Sequence, residues 1–265
     1  MRNIRLTLAY DGTDFHGWQV QPGQATIQGA VNDVLRRITQ EKITVHGAGR
    51  TDAGVHAEGQ VAHFKTGSAM GAREFQRALN ALLPPAVRVV AAEETERNFH
   101  ARHQAVVKTY CYRIYRGAIV PPFLWRYALH YPYPLDEAAM CSAARVFEGE
   151  HDFTSFSAPG AEDADGGAER KKPSPVKTII ESSFRLSRNE GGANGAPGGY
   201  ELIYTVRGRS FLRYMVRKLV GTLLEVGRGR MTEQDIVRLF ELRDRSKSGP
   251  TVPPHGLTMK LVEYE

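Results

Sequence analysis

The strongest constraint on this chain is the order in which two side-chain periodicities follow one another. Ile4, Leu6, Leu8 and Tyr10 alternate with Arg5, Thr7 and Ala9, the period of a half-buried strand. Asp11-Gly12-Thr13-Asp14 then supplies turn chemistry. Thr26 is placed to cap a helix whose apolar positions Ile27, Ala30, Val31, Val34, Leu35 and Ile38 keep helical spacing. Ile43 to His46 reads as a second strand. A glycine-rich stretch, Gly47 to Gly59, separates it from a third strand over Gln60 to Thr66. Phe75, Ala78, Leu79 and Leu82 predict a second helix that Pro84-Pro85 must end. Val87 to Glu94 predicts a fourth strand.

The second half repeats this order. Ala105 to Tyr115 is a long strand candidate rich in Val and Tyr. A proline-bearing connector leads to a helix near Asp136 to Phe147. Strands are expected over Lys177 to Ser187 and Tyr200 to Arg207. A helix then carries Phe211, Leu212, Met215, Val216, Leu219, Val220 and Leu223. Thr232 can cap one more helix, and Thr258 to Tyr264 makes a closing strand. Ala158 to Pro173, with its Arg170-Lys171-Lys172 cluster, and Asn189 to Gly199 read as loops. Strand, helix, strand, strand, helix, strand is the order of a ferredoxin-like or RNA-recognition-type unit. The expected fold is therefore α+β, with two such halves whose mainly antiparallel sheets flank a central basic cleft. The expected division is between residues 1–103 and 104–265.

Charge narrows the partners. The 265-residue chain carries a net charge of +6, and 26 of its 35 basic side chains are arginines. Guanidinium suits bidentate phosphate contacts and stacking on bases, so the expected partner is nucleic acid. No run approaches the roughly 18–20 apolar residues of a membrane helix. Met1 to Arg5 show no apolar core of an export signal. Two cysteines, Cys111 and Cys141, are too few for a disulfide framework or a four-thiolate zinc site. The expected address is the reducing cytoplasm. His100 and His103 have ligand-like spacing, but no third and fourth partners stand out, and no metal is expected.

The most informative stretch runs Gly47-Ala48-Gly49-Arg50-Thr51-Asp52-Ala53-Gly54-Val55-His56-Ala57. It lacks the Gly-Lys-[Ser/Thr] ending of a phosphate-binding P-loop. A strand rather than a helix follows, which also excludes a dinucleotide fingerprint. Its glycines permit close approach of a ligand. Spacing alone fits either a carboxylate aimed at that ligand or a tight loop with a surface Arg50–Asp52 pair.

Five ordered motifs extend the reading. They are Tyr10-Asp11-Gly12-Thr13 with Phe15-His16-Gly17-Trp18-Gln19; Gly49 to Ala57; Phe99-His100-Ala101-Arg102 with Lys108-Thr109-Tyr110-Cys111-Tyr112; Phe211-Leu212 with Met215-Val216-Arg217 and Gly221; and Pro253 to Leu257. Together they resemble the TruA family of tRNA pseudouridine synthases. In the closing loop, Thr251 to Leu257 departs from the small residues and Ala-Pro of many relatives. The resemblance implies the pseudouridine synthase fold and a cofactor-independent isomerase that converts uridine at positions 38, 39 and 40 of the tRNA anticodon stem-loop. It implies Asp52 as the nucleophile and Arg217 as the arginine that pairs with it. A guanidinium beside a carboxylate favours the ionised, nucleophilic form. Arg213, four residues before Arg217, is expected on the same helix side. The resemblance makes Tyr110 the ring that stacks on a flipped uracil, and Leu257 a wall of the uracil pocket. Arg50 is expected to contact RNA phosphate or help extrude the base. Tyr110, Tyr112 and Ile114 share one strand face, with Tyr112 as packing. A homodimer is implied as well. The competing readings are a non-catalytic RNA-binding module and a glycoside hydrolase, which needs a second carboxylate.

Overall fold

The alternation in the first ten residues becomes strand β1 (Arg2–Tyr10), whose Ile4, Leu6 and Leu8 are fully buried. The computed structural model describes residues 1–158, 174–188 and 199–265. The chain continues through α1 (Ile27–Thr39), β2 (His46–Gly47), β3 (His56–Thr66), α2 (Ala72–Leu82) and β4 (Val87–Thr95). Thr26 caps α1 by accepting the Gly29 N–H, and the Glu74 carboxylate accepts the Gly71 N–H at the start of α2, as helix starts require. Ile27, Val31 and Leu35 on α1 are fully buried, each worth about 1.5–3 kcal/mol of apolar burial. Phe75 of α2 meets Phe64 of β3 edge to face, with centroids 5.3 Å apart.

Two details of the first half differ from the sequence reading. Ile43 to Val45 form no ladder, because side chains of α1 take both main-chain groups of Val45. Its N–H donates to Asn32 Oδ1 at 2.9 Å, and its carbonyl accepts from Gln28 Nε2 at 2.7 Å. The next strand begins at His56 rather than Gln60, so it absorbs the end of the glycine-rich stretch.

The second half runs through β5 (Val107–Tyr115), β6 (Leu129–His130), α3 (Glu137–Ala144), β7 (Gly149–Asp152), β8 (Val176–Arg188), β9 (Tyr200–Gly208), α4 (Met215–Gly227), α5 (Glu233–Leu242) and β10 (Leu257–Glu263). The architecture is α+β with mostly antiparallel pairing, as the pattern requires. The chain divides into two compact units, residues 1–108 with 258–265, and residues 109–257. The division expected at 103/104 gave the closing strand to the second half. Instead Thr258 and Met259 run parallel to His56 and Ala57 of β3, which places that strand in the first unit. In that unit β1 lies between β3 and β4, antiparallel to both, and β2 pairs with β3. In the second unit the strand order is β5-β9-β8-β7, with β8 antiparallel to both neighbours. Its core gathers Phe147, Phe153, Phe156, Tyr204, Leu219 and Leu223, all fully buried.

Helix α4 begins at Met215 rather than Phe211. Tyr214 stands at φ +63°, a left-handed conformation that a helix cannot continue through. Arg213 therefore lies ahead of the helix, not one turn earlier on it. No helix among the described residues is long and apolar enough to cross a membrane. The Arg170-Lys171-Lys172 cluster lies outside the described residues, as do nearly all of the two expected loops at 158–173 and 189–199.

Candidate active site

The loop that carries Asp52 is held from several sides. Ala48 N–H donates to the Val61 carbonyl at 2.7 Å, and Trp18 N–H donates to the Thr51 carbonyl at 3.0 Å. Gly54 N–H reaches the Phe15 carbonyl, and the Val55 N–H closes a turn onto the Asp52 carbonyl. Gly54 takes φ +76° to make that turn. Side chains add further ties. Gln60 Nε2 donates to the Gly49 carbonyl at 2.8 Å. Lys108 Nζ donates to the Ala48 carbonyl at 2.6 Å. The Tyr10 and Thr51 hydroxyls share a bond of 2.9 Å. Burial pushes the Tyr10 phenol up to about 12 against the pull of its bonds to Thr51 and Gln60, so it stays neutral and able to donate at physiological pH.

The motif from Tyr10 to Gln19 is the other wall of this cradle. A Cβ at Gly12 would lie 2.1 Å from the Val55 carbonyl oxygen. At Gly17, where φ is +83°, it would lie 2.6 Å from the Thr51 oxygen and 3.0 Å from the Asp52 carbonyl carbon. These glycines let the two loops approach backbone to backbone. Asp52 is half-buried and Arg50, two residues earlier, is exposed. Fixed main chain on both flanks of Asp52 confines where its carboxylate can point.

The second unit assembles its own group of sequence-predicted residues. Tyr110, Tyr112 and Ile114 alternate onto the buried face of β5, as the spacing predicts. The Tyr110 ring meets Phe211 edge to face at 5.0 Å. Tyr112 is fully buried, and its hydroxyl donates to the Pro253 carbonyl at 2.8 Å. Burial pushes the Tyr112 phenol up, against the opposing charge of Arg217. Arg217 is half-buried on α4. Its Nε donates to the Val252 carbonyl at 2.8 Å, and its guanidinium lies 4.9 Å from the Tyr214 ring centroid. Arg213 lies over the same ring at 4.8 Å, so the two arginines share Tyr214 although only one is helical. Tyr112 and Arg217 thus both grip the turn that leads into buried Leu257. Gly256 sits so close under Tyr112 that a Cβ there would lie 2.7 Å from the ring.

Sequence reasoning passed over Lys108 and Trp18 as loop anchors. Lys108 was legible as a lysine on the inward parity of an apolar strand. Trp18 packs where a Cβ on Gly47 would reach within 2.6 Å of its ring, a contact with no signal in spacing. His100 and His103 do come together, with centroids 4.1 Å apart. They join His63 and His46 in a ring cluster. Among the described residues, no three His, Cys, Asp or Glu side chains are grouped to hold a metal ion.

Comparison with known proteins agrees with the motif reading. A family model described as tRNA pseudouridine synthase matches residues 7–104 and 143–265. The chain is 47% identical over 264 residues to tRNA pseudouridine synthase A of Solibacter usitatus, with all of both chains covered. It is 43% identical to the protein of that name from Latilactobacillus sakei, covering 100% of this chain and 99% of that one. It is 41% identical to tRNA pseudouridine synthase A 1 of Desulfotalea psychrophila, again over the full length of both. On the matched length, and on motifs that the fold gathers around one tethered carboxylate loop and one strand–helix–turn cluster, the chain belongs to the tRNA pseudouridine synthase family, in its TruA branch.

Proposed function

We propose that this protein is an isomerase that converts uridine to pseudouridine at positions 38, 39 and 40 of the tRNA anticodon stem-loop, with Asp52 as the nucleophile. The observation that carries the reading is the Asp52 loop itself. Seven hydrogen bonds, from Tyr10, Trp18, Gln60, Lys108 and the main chain, hold residues 48–55 around a half-buried carboxylate. A nucleophile gains most from being held in a reactive geometry before substrate arrives. The overall change balances without a redox partner. The N1–C1′ bond breaks, a C5–C1′ bond forms, C5 loses its proton, and N1, freed from the sugar, gains one.

Tyr110 supplies a flat apolar face for the extruded uracil, and Leu257 lines the same pocket. Arg50, exposed beside the nucleophile, takes phosphate or helps displace the base. Arg217, fixed by the Val252 carbonyl and the Tyr214 ring, presents a guanidinium to the substrate. Extruding a base costs a few kcal/mol. Phosphate contacts from an arginine-rich surface offset it and make binding salt-dependent. A cytoplasmic homodimer belongs to the same proposal.

The test is incubation with unmodified tRNA, followed by nucleoside analysis and position mapping. Pseudouridine confined to positions 38–40 is expected. Released uracil instead supports hydrolysis, and bound but unchanged RNA supports a binding module; either result overturns the proposal.

A further inference from the structure

A cavity of about 400 Å³ opens in the second unit between Tyr131, Tyr133, Pro134, Arg228 and Arg230, none of which takes part in the proposed chemistry. The tyrosine segment that lines it is anchored from behind. Arg116, whose side chain is only 9% exposed, donates to the Tyr131 and Tyr133 carbonyls and pairs with Glu137 at 3.0 Å. The Tyr131 and Tyr133 rings stand edge to face at 5.4 Å. Arg228 lies over the Tyr131 ring at 5.1 Å and donates to its hydroxyl. Tyr133 remains 65% exposed.

The ordinary role for arginines at this place is to satisfy the end of α4. That role is already filled. The carbonyls of Leu224, Glu225, Val226 and Gly227 accept the main-chain N–H groups of Arg228, Arg230, Gly229 and Asp136. The charges do not cancel either. One carboxylate, Glu225, serves Arg228 at 2.6 Å and Arg230 at 3.4 Å. With Arg116 on Glu137, three guanidiniums face two carboxylates. Arg230, at 68% side-chain exposure and the longer distance, carries the excess outward.

An exposed aromatic face beside an outward guanidinium suits a base and its phosphate. We infer that this cavity is a second RNA subsite that seats one nucleotide of the tRNA, its phosphate on Arg230 and its base on Tyr133. This rests on tRNA being the substrate. It adds a contact made by residues other than Asp52, Tyr110 and Leu257.

Equilibrium tRNA binding is measured across a salt series for the wild type, Arg230→Gln, Tyr133→Ala and Tyr133→Trp, each checked for folding by circular dichroism. Arg230→Gln is expected to weaken binding and to make the slope of log K against log salt shallower by about 0.7–0.9, the loss of one phosphate contact. Tyr133→Ala is expected to weaken binding by about tenfold with the slope kept, and Tyr133→Trp to restore it. Wild-type affinity and slope in both Arg230→Gln and Tyr133→Ala overturn the inference. So does tight binding of free uridine monophosphate that Tyr133→Ala abolishes while tRNA affinity stays unchanged. A changed sedimenting mass in Tyr133→Ala assigns the cavity to a second copy of the chain and likewise overturns it. Failure of the wild type to modify tRNA sinks the proposed function instead, and is read separately.

Discussion

Replacing Gly17 by alanine isolates the cradle around Asp52 from the carboxylate itself. Two costs follow from the geometry. The left-handed φ of +83° costs a residue with a Cβ about 1–2 kcal/mol. The new methyl would also sit 2.6 Å from the Thr51 carbonyl oxygen, so one of two backbone segments must retreat by about 0.8 Å to reach ordinary contact, an overpacking cost of about 1–3 kcal/mol. The sum is about 2–5 kcal/mol, a fall in Tm of roughly 5–15 °C for a chain of this size. Because one of the two segments carries Asp52 itself, turnover should fall as well, by about tenfold to a hundredfold, since a misplacement near 1 Å costs that much. Gly23→Ala is the internal control. Gly23 also has positive φ, +71°, but nothing lies within 4 Å of its Cβ position. It should lose about 1–2 kcal/mol and no activity. Thermal unfolding and single-turnover pseudouridine formation are measured on both. Equal activity in the two variants refutes the claim that Gly17 exists to let the loops meet.

Three further outcomes are expected. His63 is buried, accepts the Ala101 N–H on Nδ1, and is lowered to about 4 by burial and by its neighbours His100 and His46. Its unfolded value is near 6.5, so stability should be full above about pH 6.5 and fall by up to about 3 kcal/mol as pH drops toward 4; denaturant midpoints with the same pH slope in His63→Gln would contradict this. Lys108→Met removes the donor to the Ala48 carbonyl, and urea unfolding should show a loss of about 1.5–3 kcal/mol together with slower turnover; unchanged turnover would remove Lys108 from the loop's support. Tyr110→Phe should keep more substrate affinity and turnover than Tyr110→Ala, and equal values in the two would count against base stacking.

Much of the fold was legible because single elements carry their own period. β1 shows its parity in every residue from Ile4 to Tyr10, and α1 has both a capping Thr26 and an apolar stripe. The elements misplaced in sequence are those decided elsewhere in the chain. Val45 looks like a strand residue until Gln28 and Asn32 claim its main chain. Phe211 and Leu212 fit a helical stripe, yet Tyr214 turns left-handed behind them. The closing strand belongs to the first unit through a parallel pairing 202 residues away in sequence, Thr258 on His56, which no local pattern encodes. The Asp52 loop stood out through its glycines and motif. Its anchors did not, because Lys108 and Trp18 meet it only through the fold.

The central claim is that one carboxylate does the chemistry, and Asp52→Asn tests it with the smallest change of shape. Wild-type and variant protein are given the same tRNA, and pseudouridine is quantified beside tRNA affinity. No product is expected from the variant, with affinity within a few-fold of wild type. Turnover near the wild-type rate by Asp52→Asn would contradict the claim.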